Sequence, residues 1–141
     1  MILAAGQGTR MKSDLHKVLH PIAGRPMLEH LLDTVDELAA GPRIVVLGKA
    51  REQVEAALAS HPVEIVIQEQ QLGTGHAVQQ AEHALDGFDG TVIVLYGDTP
   101  FVAPATLEMM RRRLEGDDRP GVVVLASSPA DPGAYGRVIL A

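Results

Sequence analysis

The stretch Leu3-Ala4-Ala5-Gly6-Gln7-Gly8-Thr9-Arg10-Met11 runs a short apolar segment into a glycine-rich turn that ends on an arginine. Bare glycine backbone lets N–H groups come close to a ligand, and the guanidinium of Arg10 adds a rigid forked cation, a pairing suited to a polyphosphate. Neither of two better-known glycine motifs fits. A P-loop needs Lys-Ser or Lys-Thr after its last glycine, whereas Gly8 is followed by Thr9-Arg10; a dinucleotide fingerprint needs glycine at position 11, which is Met11. A second chemical cluster is Tyr96-Gly97-Asp98-Thr99-Pro100, directly after the apolar run Val92–Leu95. A carboxylate there suits a hard cation such as Mg²⁺, which takes few protein carboxylates and completes its shell with water and phosphate. A third, Gln68 to Ala77, carries Gln68, whose amide offers donor and acceptor to a nucleobase edge, Gly73 and Gly75, against which base and ribose could lie, and Thr74, a helix-cap candidate. Lys17 lies in a long loop, where a flexible ammonium could swing over phosphates. Taken singly, each cluster also has an ordinary reading: a strand-to-loop turn, an Asp that closes a strand, a capped loop, a solvated lysine. His16 and His20 are four apart but have no glutamate between them, so a helical zinc pair is not expected. Arg111-Arg112-Arg113 reads as a solvated helix end, with cations favoured by the dipole.

The elements that must position these residues alternate in type. Ile2–Ala4 reads as a strand, and Pro26 opens a helix whose apolar stripe (Met27, Leu28, Leu31, Leu32, Val35, Leu38, Ala39) runs to Gly41. A strand follows at Ile44–Leu47, a helix around Arg51–Ala59 and a strand around Val63–Ile67. Ala77, Val78, Ala81, Ala84 and Leu85 predict another helix, Val92–Leu95 a central strand covered on both faces, Pro104 to about Leu114 a helix, and Val122–Leu125 a strand. Strands separated by helices predict an α/β fold: a three-layer, doubly wound, mostly parallel sheet. Ligands in such sheets bind at the carboxyl ends of the strands. All three polar clusters fall there, which argues for one cleft.

Composition narrows the function further. The chain has 141 residues, the size of one domain, with 46% hydrophobic residues, 3% aromatic residues and a net charge of −6. Base-stacking aromatics and a basic stripe are lacking, so nucleic acid is not an expected partner. There is no cysteine, which excludes disulfides and thiolate chemistry and fits a cytoplasmic setting. No apolar run has the ~20 residues a membrane span needs. The final Arg137–Ala141 is an apolar run without a stop signal, which suggests a partial domain over residues 1–141, with an exposed sheet edge prone to aggregation and with oligomer contacts, if any, in parts not present.

Taken together, Leu3–Met11, Lys17-Val18-Leu19-His20, Gln71-Leu72-Gly73-Thr74-Gly75-His76-Ala77, Tyr96–Pro100 and Tyr135-Gly136-Arg137 resemble the sugar-nucleotide pyrophosphorylases, in order and spacing. Within that family they are most similar to the bacterial N-acetylglucosamine-1-phosphate uridyltransferases. The resemblance implies a Rossmann-like nucleotidyltransferase fold and Mg²⁺-dependent transfer of UMP from UTP to N-acetylglucosamine 1-phosphate, giving UDP-N-acetylglucosamine for peptidoglycan and lipopolysaccharide. It further implies that Leu3, Ala4, Ala5 and Gly6 line the nucleotide, that Gln68, Gly73 and Thr74 contact base and ribose, and that Arg10 and Lys17 bind UTP phosphates. Asp98 would hold Mg²⁺, Tyr96 and Gly97 would join the substrate-binding residues, and Gly136 would contact the amino-sugar. Gly133-Ala134 before Tyr135 departs from the family's usual pattern, a departure that bears on sugar contact. In the family a second metal-binding asparagine and an acetyltransferase domain follow in later sequence. The alternatives are a nucleotidyltransferase for another sugar or polyol phosphate, or a non-catalytic nucleotide-binding module.

Overall fold

The computed structural model describes residues 1–6, 8 and 11–139. The chain divides into two compact units, Met1–Pro104 and Ala105–Ala141. In the first, β1 (Ile2–Ala4), β4 (Ile44–Leu47), β5 (Glu64–Ile67) and β6 (Leu95–Tyr96) form a parallel sheet in the order β5-β4-β1-β6. A small antiparallel ribbon, β2 (Pro21–Ile22) and β3 (Arg25–Pro26), precedes the first helix and was not anticipated from sequence.

The β1–β4 register, Ile2 with Val45, Leu3 with Val46 and Ala4 with Leu47, sorts the side chains onto two faces. Leu3, Ile44 and Val46 point to one face and cluster with Ala77 and Ala81 around α3 (Thr74–Gln79). On the other, Ile2 and Val45 meet Leu32 and Val35 of α1 (Met27–Glu37) across a small apolar void. All four residues of β4 are buried, so the sheet is covered on both faces, as the continuous Ile-Val-Val-Leu run predicts. Burial of Leu28, Leu31, Leu32 and Val35 follows the helical period of the α1 stripe. Pro26 is the residue just before this helix, and the helix ends at Glu37, where Ala39 takes a left-handed φ of 49°. Helix α2 (Glu52–Leu58) buries Val54 and Leu58.

Three expectations fail in detail. The stripe Ala77–Leu85 does not form one helix: Ala81 N–H donates to Val78 O (3.0 Å) and Glu82 N–H to Gln79 O (3.1 Å), tighter i→i+3 bonds that end α3 early, and a 3₁₀ turn follows at His83–Leu85. The run Val92–Leu95 is not a central strand. Strand β6 covers only Leu95 and Tyr96, which pair with Ile2 and Leu3 at the edge of the sheet, and Val92 is 41% exposed. The third concerns the second unit, where Val122–Leu125 lacks a ladder partner among the described residues and forms no strand; Val122 is 74% exposed. Apolar content marked these segments, but a strand exists only where another backbone supplies its hydrogen bonds.

Helix α4 (Pro104–Leu114) forms as expected. Its arginines are held rather than free: Arg111 bonds Glu108 (2.8 Å) and Glu115 (2.5 Å), and Arg113 bonds Asp118 (2.5 Å). Hydrogen bonds from Arg111 and Arg112 hold the Glu108 carboxyl down at about 2. Among the described residues no helix is long and apolar enough to cross a membrane.

Candidate active site

Strands β1, β5 and β6 deliver their carboxyl ends to one cleft of about 280 Å³. Its floor is the end of β1: Leu3, Ala4, Ala5 and Gly6. Gly8 takes a φ of +63°, open to glycine at little cost, and a Cβ there would lie 2.7 Å from Lys17 Cβ. Gly8 therefore packs its bare backbone onto the stem of Lys17. Met11 N–H donates to Gly8 O at 2.8 Å. Arg10, expected to bind phosphate, lies outside the described residues.

The side chains of Lys17 and Asp98 form an ion pair at the mouth of the cleft. Both line it and both are partly open to solvent, at 30% and 39% side-chain exposure. Two residues 81 positions apart thus meet at one point, the carboxylate brought by the end of β6 and the ammonium by a 3₁₀ turn, Lys17–Leu19. That turn is tethered. Gln53 of α2 accepts from His16 N–H (2.8 Å) and donates to Asp14 O (2.9 Å), so the loop is clamped at two points just ahead of Lys17.

His16 itself is buried, and its Nδ1 has no hydrogen-bond partner among the described residues. Burial pushes its pKa below the ordinary 6.5. The unfolded chain then binds a proton that the folded chain resists, so His16 adds stability above about pH 6.5 that drains away as pH falls towards its depressed folded value. Denaturant unfolding should give a lower stability at pH 5 than at pH 7.5. Replacing His16 by Asn should shrink that difference, and an unchanged difference would contradict the assignment.

The opposite wall is the turn into α3. Gln68 is 3% exposed and continues β5, its N–H donating to Leu47 O at 2.7 Å. Its side-chain nitrogen donates to Gly73 O (3.0 Å) and lies 3.0 Å from His76 Nδ1. Gly73 caps α3 with φ 101°, a left-handed conformation that turns its carbonyl back towards Gln68. Thr74 is the first residue of the helix rather than its N-cap, a position that Gly73 takes, contrary to expectation; it and Gly73 line the cleft. Tyr96 also lines it, half-exposed. Gly97 sits behind the wall, donating to Leu3 O (2.9 Å), where a Cβ would meet Val18 Cγ1 at 2.8 Å. Gly136 belongs to the second unit.

Sequence reasoning passed over Gln71 as a wall residue. Its amide nitrogen donates to Ala5 O at 2.6 Å, tying the α3 turn to the end of β1. A polar side chain between glycine-rich turns was the available signal. Among the described residues no three acidic or histidine side chains gather as a metal cage. A cation here would depend on Asp98 and on oxygens from the ligand.

The cleft therefore offers an apolar floor that ends on Gly6, an amide at one end, and a paired ammonium and carboxylate at the other. The model of the MobA-like NTP transferase domain matches residues 1–140. The bifunctional protein GlmU of Sphingopyxis alaskensis is 64% identical over 139 residues, covering 99% of this chain and 31% of its own length, so the chain spans about a third of that relative. Among solved structures, Rv0371c of Mycobacterium tuberculosis in complex with manganese is 30% identical with a TM-score of 0.60, over 81% of this chain and 55% of that one. HddC of Yersinia pseudotuberculosis, complexed with GMP-PN, is 27% identical with a TM-score of 0.64, over 80% and 52% of the two chains. A Rossmann-like α/β sheet with its cleft at the strand ends and a match across nearly the whole length agree: the chain belongs to the MobA-like NTP transferase domain family.

Proposed function

We propose that this cleft binds UTP and carries out the uridyltransferase reaction that joins UMP to N-acetylglucosamine 1-phosphate, releasing pyrophosphate. The observation that carries the reading is the convergence of Gly6, Gln68, Gly73, Lys17 and Asp98 on one cleft. The GlmU relatives, whose matched segment spans this chain, favour uridine and the amino-sugar.

The base would enter beside Gln68. Both side-chain N–H groups of Gln68 point at protein acceptors, so the amide presents an acceptor, not the donor–acceptor pair expected from sequence. An acceptor suits the N3–H of uracil. The ribose would lie across Gly73, and the phosphates would run past Gly6 towards Lys17.

A divalent cation fits Asp98: its carboxylate is a hard oxygen donor, open to solvent at the phosphate end of the cleft. We assign Mg²⁺ to it. The chemistry Mg²⁺ supplies when bound is charge neutralisation at the α-phosphate and alignment of the attacking oxygen. The chain's own work is placement. An oxygen of the sugar phosphate attacks the α-phosphorus in line, a new P–O bond forms, and the bond to the bridging oxygen of pyrophosphate breaks. Lys17, drawn off Asp98 by the incoming polyphosphate, and Arg10 would stabilise charge on the departing group. No covalent nucleophile is involved.

Calorimetric titration of UTP and GTP into the protein, with and without Mg²⁺, tests the nucleotide half of this reading. Selective, Mg²⁺-strengthened binding of UTP is expected, and equal binding of both nucleotides would overturn it.

A further inference from the structure

The amide of Gln68 is held by more than its own strand. Gly73 O takes one of its two N–H bonds and fixes which end of the amide is nitrogen. The second N–H is directed at His76 Nδ1, 3.0 Å away. An amide nitrogen can only donate, so in this contact Nδ1 is the acceptor. Gln80 Nε2, one turn further on and 3.2 Å from the ring's Nε2, is also a donor and has its own acceptor in His76 O at 3.3 Å, which leaves Nδ1 to Gln68. No hydrogen bond among the described residues ends on Gln68 Oε1, although Gln68 lines the cleft.

We infer that His76 is a specificity-determining positioning residue: by accepting the second Gln68 N–H, it locks the amide so that a carbonyl oxygen faces the base. The inference rests on the reading of the cleft as a nucleotide site. A locked acceptor favours a pyrimidine with a ring N–H, as in uracil. It opposes cytosine, whose ring nitrogen in the same place carries a lone pair. Without the His76 acceptor, one Gln68 N–H is orphaned in a buried place and the side chain gains by rotating towards another acceptor. A cytosine ring can supply one.

The test is the ratio of UTP to CTP affinity, measured by calorimetry on the full-length protein carrying His76→Phe, His76→Asn or neither. Phenylalanine keeps the ring volume and removes the acceptor; asparagine restores an oxygen near Nδ1. His76→Phe should lower the UTP/CTP ratio about tenfold, as expected for loss of one buried hydrogen-bonding partner, with His76→Asn recovering most of it. Should the Phe variant fail to fold by circular dichroism, His76→Leu takes its place. An unchanged ratio, or parallel weakening of both nucleotides, would overturn the inference while leaving the uridine site intact. A wild-type protein that does not prefer UTP would overturn the reading of the site and this inference with it.

Discussion

Replacing Asp98 by Asn should reduce turnover by roughly 10²- to 10³-fold, about 3–4 kcal/mol of transition-state stabilisation, the scale seen when a preorganised charge-stabilising group is lost. The substitution keeps the size of the side chain and removes its charge. Because Asp98 is ion-paired with Lys17, the variant also frees the ammonium. UTP affinity measured without Mg²⁺ should therefore hold or improve, while affinity gained on adding Mg²⁺ is lost. Opposite movement of metal-free binding and turnover separates a role in the reaction from damage to the cleft. Steady-state kinetics and metal-free titration of the same variant check it, and a variant that keeps its turnover would remove Asp98 from the chemistry.

Gly48→Val should lower stability by about 2–3 kcal/mol, since overpacking against an element that cannot yield costs on that scale. A Cβ at Gly48 would stand 2.5 Å from Ala5 O and 3.0 Å from the Gln71 amide nitrogen. The obstacle is backbone, and it is the backbone of the cleft floor. The hydrogen bond from Gln71 to Ala5 O would break as Ala5 gives way, so UTP affinity should fall with the melting temperature. A drop of roughly 6–10 °C is expected for a chain of this size. Gly75→Ala is the control: nothing lies within 4 Å of its Cβ, it sits within α3, and it should leave the melting temperature unchanged or slightly raised. Equal melting temperatures for Gly48→Val and wild type would contradict the close approach.

The parts of the fold that could be read from sequence are those where local pattern and tertiary demand agree. The α1 stripe and the Ile44–Leu47 run announce a helix and a buried strand, and both form where the pattern puts them. Val92–Leu95 and Val122–Leu125 carry the same apolar signal, but pairing is decided by distant backbone. The first yields a two-residue edge strand and the second none among the described residues. The site shows the same division. That polar clusters would gather at the strand ends followed from parallel topology. That Lys17 would reach Asp98 did not follow from either residue alone, for the contact needs a loop clamped by Gln53 and a strand edge 81 residues away. The state of Gln68 was equally out of reach. Its donors are committed by Gly73 and His76, and the orientation depends on the left-handed backbone of Gly73 rather than on residue type.

Pyrophosphate release by the full-length protein supplied with UTP, Mg²⁺ and N-acetylglucosamine 1-phosphate bears most directly on the reaction proposed for this cleft. The account predicts release that depends on all three, falls sharply when GTP, CTP or dTTP replaces UTP, and is accompanied by UDP-N-acetylglucosamine. UTP binding without pyrophosphate release under those conditions would contradict it, and would make the cleft a nucleotide-binding module rather than a catalyst.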